Sequence, residues 1–476
     1  MITVNQSRRQ FLGQSSCAAI SSIPVLNTLL NLSVTEKLSA VTAPANGEYR
    51  ALVCLFLSGG NDSFNMLVPR EASAYAQYQS ARSNLALAPG SLIDIHPTGQ
   101  STFAVHSGMP EVASLFEAGN AAFVANVGTL IEPVQNRTQV NTLAKQLPLG
   151  LFSHSDQIEQ WQTSLPHQRS GIGWAGRTAD LLQELNANQK VPMNISLDGS
   201  NVWQTGNDVA EYAITTGGAV ALQNYKFGWQ QYDTGSQAFS QGVDSQLALQ
   251  YSNVLMQTFN SRKKAALDAC NAFTTATSAA LPGGVTFPAT YVGSRLQMIA
   301  KAIQGHANAA LGAVRQTFFI NWGGWDHHSG VLTYQGQMLP QVSAAIGAFY
   351  SALTAMGMAN NVTLFTASDF GRTLTSNGQG SDHAWGGNQL VVGGSVLGKK
   401  IYGQFPSLAL NTETGSEVNP LDTGSGRLIP TTSCDQFFAE LALWLGVSPT
   451  DLPLVLPNIG NFYSPGSSLP PMGFMA

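Results

Sequence analysis

Carboxylates and histidines follow the ends of apolar runs at several places in this sequence. The residues there that could bind a metal ion are Asp62, Asp326, His328, Asp369 and His383. Asp326 and His328 lie in the segment GGWDHH, and residues two apart in an extended segment face the same side. Carboxylate oxygen and imidazole nitrogen are ligands that Zn²⁺ and similar ions take from proteins. The pattern predicts a divalent metal site, with Zn, Ca, Mg and Mn all open.

Each of these residues also has an ordinary explanation when it is taken alone. Asn-Asp after two glycines, as at Asp62, is common turn chemistry, because the side-chain oxygens bond nearby amides. His383 lies in the glycine-rich segment GSDHAWGG and suits a loop hydrogen bond as well as a metal. Arg372 can pair with the nearby Asp369, or its forked guanidinium can bind a phosphate or sulfate. It is the combination of these residues that favours one site.

The apolar runs that lead to these residues predict strands. Several runs are apolar throughout, which is typical of parallel strands with helices on both faces. The predicted strands are Ala51–Leu57, Ala121–Val127, Val191–Leu197, Val314–Asn321, Val362–Thr366 and Gln389–Val392. Helical periodicity predicts helices at Pro110–Ala118, Trp174–Leu185, Tyr291–Gln304, Tyr334–Met356 and Cys434–Leu445. The sequence thus predicts an α/β fold with a largely parallel central sheet flanked by helices on both faces.

This fold would bring the acidic clusters together. In open α/β sheets, ligands bind outside the carboxyl ends of the strands, over loops that the sheet holds in place. Asp62, Asp326 and Asp369 each follow a predicted strand end, so we expect them to meet at one edge of the sheet.

A segment of different character interrupts the pattern between Asn201 and Thr286. Residues 224–239 are aromatic, polar and irregular, and Val243–Ala279 has helical periodicity. We expect residues 201–286 to form an inserted helical and irregular cap over one end of the sheet. The rest of residues 46–476 is then a single α/β domain.

The first 45 residues resemble a twin-arginine signal peptide. SRRQFL, Ser7–Leu12, places two arginines before the weakly apolar stretch Cys17–Val34, and APA or LSA before residue 46 offers a cleavage site. The stretch lacks the run of about 20 apolar residues that spans a bilayer. We therefore expect this segment to be removed, leaving a periplasmic or secreted protein, exported in folded form, with no stable membrane anchor.

Charge excludes one class of partner. Only 10% of the 476 residues are charged, and the net charge is −5. An acidic chain is a poor match for nucleic acid. The sequence does not indicate an oligomeric state.

Seven spaced motifs are similar to those of one large family of exported bacterial proteins. They are RRQFL, FLSGGNDSFN, FAVHSGMPEVASLFEAGNAAFVANVG, FSHSDQ, GGWDHH, SDFGRT and SDHAWGGN, in that order. The family is catalogued as a domain of unknown function, number 1501, and is grouped with the alkaline phosphatase-like superfamily. The resemblance runs from Tyr49 to about Phe405. It implies an alkaline phosphatase-like fold with divalent ions held by the five residues named above.

The resemblance leaves the number of ions open. Two-metal phosphatases have a histidine directly after the later aspartate, where this chain has Phe370. One ion, or a second one held more weakly, fits this departure.

The resemblance also implies a nucleophile at the start of a helix. Ser153 and Ser155 precede a helical run, where a serine can attack phosphorus or sulfur or can cap the helix. Ser63 is a further candidate. His154 is a candidate acid or base. No cysteine has the Cys-x-Pro-x-Arg surroundings of a standard sulfatase.

These features together predict an exported metal-dependent hydrolase of a phosphate or sulfate ester. The catalytic candidates are Ser153, His154 and Arg372, and the substrate is a small molecule or a polymer. The alternative is a non-catalytic secreted or surface binding protein that keeps the fold with an incomplete metal site.

Overall fold

A computed structural model describes residues 48–226, 233–411 and 417–476. The predicted signal peptide, residues 1–45, lies outside the described residues. Among the helices that are described, none has both the length and the hydropathy needed to cross a membrane.

Two sheets are formed by the described strands. The strands are β1 Arg50–Leu57, β2 Leu67–Pro69, β3 Leu92–Ile95, β4 Phe103–His106, β5 Ala121–Gly128, β6 Asn194–Ser196, β7 Tyr212–Ala213, β8 Arg315–Trp322, β9 Val362–Ser368, β10 Gly387–Val392, β11 Ile401–Tyr402 and β12 Thr432–Ser433. The central sheet has the order β11-β5-β10-β9-β1-β8-β6-β7, with β12 also paired to β5. A separate antiparallel sheet has the order β2-β4-β3.

The central sheet is mostly parallel. β1 pairs in parallel with both β8 and β9, while β10 runs antiparallel to β9 and β5. In the register, Leu57 at the end of β1 lies opposite Trp322 of β8 and Ser368 of β9. These three strands therefore end level with one another. Because β10 is antiparallel, the loop that enters it at Gly387 reaches the same edge, which we call the rim.

Helices cover the central sheet. They are α1 Ala72–Arg82, α2 Pro110–Glu117, α3 Arg137–Asn141, α4 His154–Thr163, α5 Trp174–Leu182, α6 Thr234–Ala248, α7 Val254–Ala276, α8 Tyr291–Gln304, α9 Val331–Ala355, α10 Cys434–Leu445 and α11 Leu452–Val455. α10 begins with a capping box, in which the Ser433 and Gln436 side chains satisfy amides of the first turn.

Alternate residues of the buried strands pack against opposite helical layers. Val53 and Leu55 of β1 belong to the large core cluster that also contains Ile346 of α9. On the other face, Trp174 of α5 stacks on Phe438 of α10, with ring centroids 4.7 Å apart. The predicted central sheet, largely parallel with helices on both faces, is confirmed.

Most predicted elements occur with small shifts in their ends. The strand predicted at Val191–Leu197 is shorter, Asn194–Ser196, and pairs in parallel with β8. Within residues 201–286, the helical region starts at Thr234, earlier than predicted, and breaks between α6 and α7. The start at Thr234 is explained by Asp233, whose carboxylate caps two amides of the first turn.

Candidate metal centre at the rim

Four side chains from two separate loops and a helix meet at the rim. Asp326 lies after β8, with its Oδ1 atom 3.1 Å from Nε2 of His328 and 3.3 Å from Nε2 of His383. Its other oxygen lies 3.5 Å from Nε2 of His154, the first residue of α4. The Nε2 atoms of His328 and His383 are 2.9 Å apart. We call these four side chains the rim cluster.

The second nitrogen of each imidazole is held by an oxygen acceptor. Nδ1 of His383 donates to the Phe152 carbonyl at 2.7 Å. Nδ1 of His154 donates to Asp369 at 2.7 Å, and Nδ1 of His328 donates to Asp382 at 2.9 Å. A carbonyl or an ionised carboxylate has no proton to offer, so each Nδ1 carries the hydrogen. In the neutral rings, each Nε2 therefore presents a lone pair to the cluster.

This arrangement of acceptors fits a cation. Three imidazole lone pairs and one carboxylate face the same small space, and without a positive charge between them they repel. The ligands of a tetrahedral Zn²⁺ with bonds of about 2.0–2.1 Å lie about 3.3 Å apart, close to the separations seen here. His154, Asp326 and His383 each offer a ligand atom within 4.8 Å of the others. Nε2 of His328 lies 2.9 Å from that of His383 and 3.1 Å from Asp326, on the exposed side of this group.

Asp369 positions His154 instead of joining the cluster. The carboxylate is fully buried and accepts hydrogen bonds from the Gly59 amide at 3.0 Å and from His154. That hydrogen bond raises the pKa of His154, against the opposing effect of partial burial. Gly59 has a φ of +122°, and a Cβ there would lie 2.5 Å from the Asp326 amide. A glycine is thus required where the β1 and β8 loops cross.

Arg372 is buried beneath the cluster, where it cannot meet a substrate. Its guanidinium donates to the carbonyls of Gly59, Gly60 and Ser381, and to a carboxylate oxygen of Asp326. The predicted anion-binding role therefore does not fit, because these acceptors already occupy its donors. Partial burial acts to raise the pKa of Asp326. The hydrogen bond and the charge of Arg372 have a larger, opposite effect, so the pKa lies below its ordinary value.

Asp62 lies away from the cluster in a buried ion pair. Its Oδ2 atom is 2.6 Å from Arg82, and both side chains are fully buried. The Ser381 hydroxyl donates to the same oxygen at 2.7 Å. The predicted role as a metal ligand does not fit this placement, since Arg82 already supplies the opposite charge.

Apolar groups enclose the protein side of the cluster. The Phe370 ring, directly after Asp369, lies 4.9 Å from the His154 ring and 4.5 Å from the His383 ring. Phe152 has a φ of +70°, a left-handed conformation that bulky residues rarely adopt. This conformation occurs at the residue whose carbonyl holds His383, and strain of this kind is typical of functional sites.

The serine candidates are not joined to the cluster by a described hydrogen bond. Ser153 is at the N-cap position of α4, but its hydroxyl contacts Ser155 at 3.2 Å and makes no cap hydrogen bond. Ser63 is buried, and its oxygen accepts from the Asn388 amide at 2.7 Å.

Arg427 is a further charged residue beside the cluster, and the sequence patterns do not predict it. Its Nε donates to the His383 carbonyl at 3.1 Å, and its guanidinium carbon lies 5.5 Å from the Phe152 ring centre. Its two terminal nitrogens donate to no described residue, so they are available to an anion. The residue lies 44 positions after His383 in a glycine-flanked turn, with no acidic or histidine neighbour as a signal.

Comparison with known proteins gives one family match. Residues 306–440 match the model of a family described as a protein of unknown function, DUF1501. This range contains Asp326, His328, Asp369, Arg372 and His383. No curated protein matches the chain.

Several solved structures are distantly similar. Ps i-CgsB in complex with k-i-k-neocarrahexaose has a TM-score of 0.33 and 10% identity, covering 88% of this chain and 77% of that one. The C-terminal periplasmic domain of EcEptC from Escherichia coli, in complex with Zn, has a TM-score of 0.29 and 10% identity, with coverage of 74% and 76%. BT1596, a 2-O GAG sulfatase, has a TM-score of 0.27 and 9% identity, with coverage of 74% and 66%. These likenesses are too distant to assign a residue role.

The contact between Asp369 and His154 predicts a pH effect. In protein treated with a chelator, Asp369→Asn should lower the pKa of His154 toward the ordinary value of about 6.5, because the carboxylate charge is lost. In the wild type, the folded-state pKa is raised, so His154 stabilises the fold fully below about pH 6.5 and less as pH rises through that pKa. NMR titration of the imidazoles measures the shift.

His306, whose Nδ1 lies 2.8 Å from the Ile303 carbonyl, is the internal control and should titrate alike in both proteins. An unchanged His154 titration in Asp369→Asn would contradict the positioning role.

Proposed function

We propose that this protein is an exported, metal-dependent hydrolase of a phosphate or sulfate ester with an alkaline phosphatase-like fold. The proposal rests on one observation: the Nε2 atoms of His154 and His383 meet the Asp326 carboxylate. The Nδ1 atom of each ring is hydrogen-bonded to the protein. An anchored second nitrogen is the arrangement that metal-binding histidines use. Periplasmic or secreted location and the twin-arginine route are part of the proposal and rest on residues 1–45.

We assign the ion to His154, Asp326 and His383. Two imidazoles and one carboxylate leave a position open, as in catalytic zinc sites. A divalent ion bound there would polarise an ester oxygen and make a coordinated water more acidic. The identity of the ion, among Zn, Ca, Mg and Mn, is left open by this ligand set.

His328 is the residue to which we assign proton transfer. It lies on the exposed side of the cluster, next to both Asp326 and His383. Asp382 accepts its Nδ1–H, which fixes the ring and leaves Nε2 free to take a proton from an attacking water. Hydrogen bonds from Asn377 and then from His328 lower the pKa of Asp382, so it stays ionised in this role.

Arg427 is the residue to which we assign the ester anion. It is half-buried beside His383, and its terminal nitrogens are not used by described residues. A guanidinium offers two parallel donors that match the oxygens of phosphate or sulfate. Arg427, and not the buried Arg372, is thus the residue that we assign to binding the phosphate or sulfate group.

The second candidate function is a secreted or surface binding protein with an incomplete site. It is favoured by the buried ion pair of Asp62 with Arg82, by the bonds of Arg372 to backbone carbonyls, and by the separation of Ser153 from the cluster. Metal content and ester hydrolysis separate the two functions.

Metal and activity should respond differently to three substitutions. His383→Ala and Asp326→Ala should each lose a stoichiometric divalent ion together with hydrolysis, because each removes a ligand. His328→Ala should keep the ion and lose about a hundredfold or more in kcat, as expected for a lost acid–base group. Elemental analysis of the full chain and assays with p-nitrophenyl phosphate and p-nitrophenyl sulfate measure both quantities.

Ser153→Ala is the control, since it changes the neighbour of His154 and should keep both ion and activity. Loss of hydrolysis in that variant with the ion retained would return the nucleophile role to Ser153. A wild type that binds no divalent ion and cleaves neither ester would favour the binding protein.

Anion recognition gives a separate prediction. Arg427→Gln should raise KM for the cleaved ester about tenfold or more, because hydrogen bonds to charged groups are lost. Arg70→Gln, which removes a cation from a surface pair with Asp94, is the matched control and should leave KM unchanged. Steady-state kinetics test this, and an unaltered KM in Arg427→Gln would remove that residue from the substrate site.

A further inference from the structure

The turn between α6 and α7, together with the first two turns of α7, exposes a group of large apolar side chains. The residues are Leu249, Val254, Leu255, Met256 and Phe259. Leu255 is 80% exposed and Phe259 is 72% exposed. Soluble proteins rarely expose contiguous apolar patches, and those that they do expose commonly bind a partner or a membrane. We call the segment from Leu249 to Lys264 the hairpin tip.

A basic triplet follows directly on the same helix. Arg262, Lys263 and Lys264 are all exposed, and none of them forms an ion pair with a described residue. The next acidic residue along α7 is Asp268. Three adjacent cations are unusual in a chain with 22 basic residues and a net charge of −5. Lys264 shares a surface depression with Asp244 and Asp268, and the three cations outnumber these two carboxylates, so this part of the surface is locally positive.

A cavity of about 420 Å³ lies between the two helices at this place. Val243 and Leu247 of α6 line one side, while Leu255, Phe259 and Lys263 of α7 line the other. Leu255, Phe259 and Lys263 are spaced four residues apart, so they form one stripe along the helix that changes from apolar to basic.

We propose that the hairpin tip binds the surface of a membrane that contains anionic lipids. Helices that bind membrane surfaces bury their apolar side chains about 5–10 Å deep at the boundary between headgroups and acyl chains. With the start of α7 entering the interface end-on, a rise of about 1.5 Å per residue places Lys263 about 6 Å nearer the headgroups than Phe259. Cations at that height meet the headgroups and are attracted by anionic lipid.

The distribution of the apolar residues favours a membrane over a protein partner. Val254, Leu255 and Met256 are consecutive, so their directions cover about 200° of the helix circumference. A groove in a partner protein contacts a single stripe of a helix, whereas lipid surrounds an inserted tip. A symmetric contact between two copies of this chain would place two basic triplets together, and like charges oppose that contact.

Co-sedimentation of the purified full chain with vesicles tests the proposal. The wild type should bind phosphatidylcholine vesicles that contain phosphatidylglycerol, bind phosphatidylcholine alone much less, and dissociate at high salt. The double variant Leu255→Ser, Phe259→Ser and the triple variant Arg262→Glu, Lys263→Glu, Lys264→Glu should each bind about tenfold or more weakly.

Two surface variants outside the tip are matched controls. Leu469→Ser removes a side chain that is 72% exposed elsewhere, and Lys190→Glu reverses an exposed charge. Both should bind as the wild type does. Circular dichroism checks that every variant is folded, and hydrolysis of a soluble ester should be the same in all of them, which separates this proposal from the proposed function.

Three results would overturn the proposal. The first is a wild type that does not sediment with the anionic vesicles. The second is unchanged binding by both tip variants. The third is a concentration-dependent dimer in size-exclusion chromatography that the tip variants abolish, because it would assign the patch to a second copy of this chain.

Discussion

The buried guanidinium of Arg372 holds the loops of the rim in one arrangement. It follows β9, and it donates to carbonyls in the loop after β1 and in the loop before β10, as well as to Asp326 after β8. A buried cation is costly unless its donors are all matched, and here the matching groups come from every loop of the site. The level strand ends bring these loops close, and Arg372 fixes the direction in which Asp326 points.

The acidic residues near the rim differ in the group that neutralises their charge: an arginine or a histidine. Asp62 is paired with Arg82, so its charge is used within the protein. Asp369 and Asp382 instead accept from imidazoles, which directs the opposite nitrogen of each ring outward to the cluster. Asp62, buried against Arg82, thus has a structural role, whereas a carboxylate behind a histidine prepares that histidine to bind a cation or carry a proton.

The sequence was informative about the fold and about which segments form the site. Apolar runs such as Val314–Asn321 and Val362–Thr366 lead into Asp326 and Asp369, and strand ends of a parallel sheet meet at one edge whatever the side chains do. The roles of individual residues were less predictable. Asp62 pairs with Arg82 and not with a metal ion. Arg82 lies 20 positions away, on a helix that the periodicity of the sequence does not predict. Arg427 reaches His383 only through tertiary contact, and spacing along the chain carries no sign of it.

The central claim is that imidazole Nε2 atoms and Asp326 surround one divalent ion. X-ray absorption spectroscopy of the purified full chain, loaded with one equivalent of Zn²⁺ and dialysed, tests it most directly. The account predicts at least two imidazole nitrogens and one carboxylate oxygen at about 2.0–2.2 Å from zinc. Zinc that is removed by dialysis, or that is retained with oxygen ligands and no imidazole, would contradict it.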